Sequence, residues 1–102
     1  MNAYTQINQY HEGDLVRVRY QFIDTSGVLT DPTTVKFSVR TPVTGTVEYQ
    51  YGVDSQPLKN ATGDYYFDID CADPGTYYYR GFSEGTGQAA NEGSFQVLVS
   101  NL

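Results

Sequence analysis

The chain of 102 residues carries twelve Asp and Glu against six Lys and Arg, a formal charge of −6 at pH 7, so its surface repels phosphate backbones and excludes nucleic acid as a partner. That length holds one domain, and a composition with ten Tyr and five Phe but one Met and no Trp leans toward strand formers. A single Cys permits no internal disulfide, and no run approaches the ~20 apolar residues that cross a bilayer, which argues against a disulfide scaffold and a membrane protein.

Residues 1–12 form an N-terminal segment in which a weak first strand spans Tyr4 to Tyr10. Tyr4, Ile7 and Tyr10 fall three apart, so the segment reads either as an edge strand or as a flexible arm that orders on docking. Its lack of a basic start or apolar run leads to the expectation of no export signal and of folding in a reducing cytoplasm. Residues 13–102 form the domain proper.

Period-two alternation dominates from residue 14 onward. Val16, Val18, Tyr20 and Phe22 alternate with Arg17, Arg19 and Gln21, giving a second strand with one buried and one wet face, closed by Asp24-Thr25-Ser26-Gly27. Val35, Phe37 and Val39 alternate with Lys36, Ser38 and Arg40 between two Pro fences, and make the third. Val47, Tyr49 and Tyr51 make a fourth, expected at an edge. Asn60-Ala61-Thr62-Gly63-Asp64 is a turn cluster, followed by a fifth strand with Tyr65, Phe67, Ile69 and Cys71 inward. Tyr77, Tyr79 and Gly81 alternate with Tyr78, Arg80 and Phe82 in the sixth. Phe95, Val97 and Val99 share a face of the seventh, and Gly85-Thr86-Gly87 reads as the loop before it.

The chemistry-bearing residues are sparse. His11, the only histidine, stands at a turn beside Glu12-Gly13-Asp14 with no Ser-centred Gly elbow, so no catalytic triad can be assembled. Cys71 lies in an inward register and reads as a small hydrophobe. Asp68, Asp70 and Asp73 lack the Gly turn and bidentate Glu of a calcium loop, and read as a solvated or salt-bridged face. The sequon Asn60-Ala61-Thr62 reads as loop composition. No catalytic, cofactor-binding or metal-binding residue is therefore expected, nor a cofactor, and the chain reads as a non-enzyme. One surface departs from this: Tyr78, Arg80 and Phe82 share the outward register of the sixth strand, where the neighbouring strand adds Lys36 and Arg40. Tyr and Arg recur at interface hot spots, so these five residues are the candidate docking face.

Asp73-Pro74-Gly75-Thr76-Tyr77-Tyr78-Tyr79 resembles the corner that opens the sixth strand of an immunoglobulin-like β-sandwich, with Asp73, Gly75 and Tyr77 in its acid, Gly and Tyr places. Tyr79 occupies the position of the second disulfide Cys of antibody domains. The fold class is accordingly all-β, an immunoglobulin-like antiparallel sandwich of about seven strands. Its Greek-key order pairs the second and fifth strands in one sheet and joins the third, sixth and seventh in the other, bringing Arg17 and Arg19 near Asp68 and Asp70.

Gly13-Asp14-Leu15-Val16-Arg17-Val18, Asp31-Pro32-Thr33-Thr34-Val35-Lys36-Phe37, Gly63-Asp64-Tyr65-Tyr66, Pro74-Gly75-Thr76-Tyr77-Tyr78-Tyr79-Arg80 and Gly85 to Phe95 follow one another in an order that resembles small Ig-like structural proteins of tailed bacteriophages. The resemblance covers about residues 13–97. It implies a non-enzymatic virion component assembled in the host cytoplasm, a capsid decoration or a neck or tail accessory, whose partner is the major capsid or another virion protein. The aromatic and basic face would dock, while Asp24, Asp31, Asp54 and Glu84 would face solvent. A carbohydrate-binding module is the alternative from another class, with Tyr49, Tyr51, Tyr66 or Tyr78 as stacking platforms.

Overall fold

The computed structural model describes residues 9–84 and 91–99. Among them run eight strands: β1 (Gln9–His11), β2 (Leu15–Gln21), β3 (Thr34–Arg40), β4 (Thr46–Gln50), β5 (Leu58–Ala61), β6 (Asp64–Asp70), β7 (Gly75–Glu84) and β8 (Asn91–Leu98). They form two sheets, one of five strands in the order β1-β8-β7-β3-β4 and one of three in the order β2-β6-β5. All neighbours are antiparallel except β1, which runs parallel to β8.

The alternation explains the layers. In β2, β3 and β6 every second side chain is apolar, so each strand has one face that loses free energy in water and one that does not. Facing the apolar sides together encloses Val16, Val18, Tyr20 and Phe22 with Val35, Phe37 and Val39, and with Tyr65, Phe67, Ile69 and Cys71. Tyr77, Phe95 and Val97 complete this core. Phe37 and Phe67 meet across it with ring centroids 4.4 Å apart and planes at 10°. Burying each large side chain stabilises the fold by roughly 1.5–3 kcal/mol, so this inward set dominates the folding energy. The pairing of β2 with β6, the joining of β3, β7 and β8, and the edge position of β4 agree with the expectations above.

Four details differ. The chain has an eighth strand, β5, inside the stretch read as a connection and turn cluster, because β6 offers an open edge there. Leu58, Lys59, Asn60 and Ala61 are all exposed and show no alternation, so pairing with β6 alone makes them a strand. Just before it, the Gln56 side-chain amide stands in for a further residue of that ladder, donating to the Asp68 carbonyl at 3.2 Å and accepting from the Asp68 N–H at 2.8 Å. β1 runs on to His11, one residue past the end of the expected Tyr4–Tyr10 strand, of which residues 4–8, like the Gly85-Thr86-Gly87 loop, lie outside the described residues. Val99 falls beyond the end of β8 and is exposed. Arg17 meets Asp68 through two bonds of 2.8 and 3.0 Å, whereas Arg19 reaches Asp64 at 2.8 Å instead of Asp70, which sits across from Leu15.

A candidate docking face

The register of β7 is set at its start. Gly75 has φ +133°, and a Cβ there would lie 2.5 Å from the Pro42 ring, so the chain turns tightly beneath Pro42 where only glycine fits. Two residues on, the Tyr77 hydroxyl donates to the Asp73 carbonyl at 2.8 Å and accepts from the Asp73 N–H at 3.2 Å, while its ring stacks on Phe95 at 5.2 Å. Asp73, Gly75 and Tyr77 thus form the corner expected of them. Tyr79 fills the place of a disulfide half with its ring, stacked on Phe37 at 6.2 Å, and a Cβ at Gly93 would strike its hydroxyl at 2.6 Å.

With Tyr77 pinned inward, Tyr78, Arg80 and Phe82 point outward by alternation. Antiparallel pairing places them opposite Arg40, Ser38 and Lys36 respectively. The five predicted residues therefore share one face. The Arg40 guanidinium lies 5.8 Å from the Tyr78 ring centroid and that of Arg80 4.9 Å from Phe82, within reach of cation–π attraction. Tyr78 is exposed and Phe82 is half-buried.

This face is not basic, although its cations alone lead one to expect a basic one. Lys36 bonds Glu48 and Glu84 at 3.0 Å each, which raises the ammonium above its ordinary range, Glu48 first and Glu84 second. Arg80 faces Glu92 at 3.6 Å. Three carboxylates balance three cations, and the face is amphipathic and near neutral. Glu48 was visible in the outward register of its own strand, but its position against Lys36 follows from the β3–β4 register, which the alternation leaves open. A shallow groove of about 460 Å³ crosses the face, lined by Ser38 and Arg40 from β3, Thr46 from β4, Tyr78 to Arg80 from β7 and Glu92 and Gly93 from β8.

The acidic loop residues do more than face solvent. Asp24 accepts from the N–H groups of Ser26 and Val28, and Asp54 from that of Gln50, each at 2.8–3.0 Å. Asp31 accepts from Lys59 Nζ, the Gly63 N–H and the Tyr65 hydroxyl, which together hold its carboxyl down at about 2, the lysine contributing most. Glu84 belongs to β7 and holds Lys36. Of the four tyrosines considered as sugar platforms, Tyr66 lies under the Arg17 guanidinium at 4.1 Å, Tyr49 packs on Phe67 and Tyr51 meets Tyr65 edge-on. Tyr78 is the most exposed of them, at 51%. His11 is exposed, and its backbone N–H is capped by the Asp14 carboxylate at 2.8 Å. Cys71 is fully buried, with its thiol pushed up by that burial. Among the described residues, no group of three or more His, Cys, Asp or Glu is placed to hold a metal ion, and no helix is long and apolar enough to cross a membrane.

No protein-family model matches the chain, and neither does any curated protein. Among solved structures it is similar to the Lin-41 filamin domain, with a TM-score of 0.66 and 14% identity over 94% of this chain and 88% of that one. The fold is immunoglobulin-like. At that identity the likeness speaks of the fold alone, and whatever this sandwich does rests on its own surface residues.

Proposed function

We propose that the chain is a non-enzymatic structural module of a tailed-phage virion, docking on the capsid surface as a decoration protein through the outer face of its five-stranded sheet. The observation that carries this reading is that face itself, where exposed Tyr78, flanked by Arg40 and Arg80, stands over a groove on an otherwise acidic domain. Tyr and Arg recur as interface anchors, and the ring contacts of Arg40 and Arg80 already restrict these long side chains, which lowers the entropy lost on docking. The class of partner, a capsid or other virion protein, comes from the resemblance over residues 13–97.

Gold-labelled antibody against the chain, applied to particles from a lysate in which the protein is made, is expected to decorate heads densely. Label confined to the head–tail junction or the tail replaces the decoration reading with a neck or tail accessory, and bare particles overturn the virion reading. Joint replacement of Tyr78 and Phe82 by Ala is expected to release the chain from particles. Retained binding by that variant would remove this face as the docking surface.

A further inference from the structure

All six Lys and Arg side chains of the chain lie within the described residues, as do all twelve Asp and Glu. Arg17, Arg19, Lys36, Lys59 and Arg80 each have a carboxylate within 4 Å. Arg40 has none. On a domain with twice as many acids as bases, a cation left without an acid is unexpected, since the nearest carboxylates would ordinarily be drawn to it. Its contact is instead the ring of Tyr78, which orients the guanidinium by its face and leaves its five N–H donors unused by described protein groups. It lines the groove with Arg80, whose own partner Glu92 sits at 3.6 Å, beyond a good hydrogen bond and on a side chain that is 70% exposed.

We infer that Arg40 is a vacant carboxylate receptor and that the partner of this face is an acidic protein segment, one of whose Asp or Glu side chains is held by Arg40 and Arg80 while its neighbours cover Tyr78. This rests on the docking reading above and names the partner's chemistry. A planar guanidinium takes a carboxylate through two parallel bonds. The hydroxyl-bearing Ser38 and Thr46 line the same groove and are further donors. Glu92 is the competitor, because an incoming carboxylate at Arg80 must displace it or sit beside it. The net excess in the groove is a single positive charge, which suits a short acidic segment; a polyanionic nucleic acid would meet the chain's overall −6.

The test is a titration of the isotope-labelled full chain with a hexaglutamate peptide at low salt, followed by NMR. The expected result is saturable shifts at the Arg40 side-chain Nε–H and at the Tyr78 and Arg80 amides. Arg40→Gln is expected to abolish them, Glu92→Gln to tighten binding about threefold by removing the competitor, and Arg17→Gln, on the other sheet, to change nothing. Absence of shifts, shifts centred on β2 and β6, or an Arg40→Gln variant that binds like the parent would overturn the inference. The two readings fail separately: a chain that takes the peptide at Arg40 yet labels no particle keeps the receptor and loses the virion, and a chain that labels particles but ignores the peptide does the reverse.

Discussion

Tyr20 and Gly81 face each other across the sandwich, and each explains the other. A Cβ at Gly81 would lie 2.6 Å from the Tyr20 ring, so glycine there lets the largest side chain of β2 lie flat against the opposite backbone. The ring is 2% exposed and packs among Phe22, Phe37 and Tyr65, but its hydroxyl has no partner among the described residues, and burial pushes its ionisation far up. An unpartnered buried hydroxyl costs more than it returns. Tyr20→Phe is therefore expected to stabilise the fold by about 1 kcal/mol, read as a higher urea midpoint with unchanged slope; a loss of stability would mean that the hydroxyl is satisfied in solution. At this scale the sequence identified Tyr20 as inward, because its place in the alternation is local. That Gly81 makes room for it depends on which strand lies opposite, and alternation is silent on that.

The β5–β6 connection shows how an element is specified from outside itself. Gly63 has φ +71°, and a Cβ there would meet the backbone of Thr30 at 2.7 and 2.9 Å and of Phe22 at 2.9 Å. Its carbonyl accepts from the Phe22 N–H, and its own N–H donates to Asp31. The turn is thus clamped to the end of β2 and to the β2–β3 connection. Gly63→Ala would strain the backbone and collide with atoms that cannot rotate away. It is expected to destabilise by about 2 kcal/mol or more, measured by chemical unfolding; a change below about 0.5 kcal/mol would mean that the clamp yields. The turn cluster at 60–64 was legible from its Gly and Asn. The strand running into it was not, since Leu58 to Ala61 have neither alternation nor a buried face, and only the edge of β6 orders them.

Across the whole molecule, acid sensitivity follows from the carboxylates that bind loops to strands. Hydrogen bonds from Lys59, Gly63 and Tyr65 depress the Asp31 carboxyl to about 2, and those from Arg17 and Asn60 lower Asp68 and Asp64. An unfolded Asp titrates near 3.9. A carboxyl whose folded value lies below its unfolded one contributes stability fully above about pH 4 and loses it as the pH falls toward 2. Melting temperature is therefore expected to drop between pH 4 and 2, and the drop to be shallower in Asp31→Asn, which is less stable at neutral pH. Parallel curves for the two proteins would show that Asp31 carries none of this dependence.

Strand periodicity is written residue by residue and the corner is a contiguous motif, so the sequence alone places the inward residues of β2, β3 and β6, the Asp73 to Tyr77 corner, and Lys36, Arg40, Tyr78, Arg80 and Phe82 in outward registers, while Val99 shows that periodicity does not say where a strand ends. Which charges cancel is settled by packing. Glu48 reaches Lys36 from β4 and Glu92 reaches Arg80 from β8 through inter-strand register, and register is a property of the packed sheet. By the same pairing Arg40 is the one Lys or Arg without a carboxylate among the described residues.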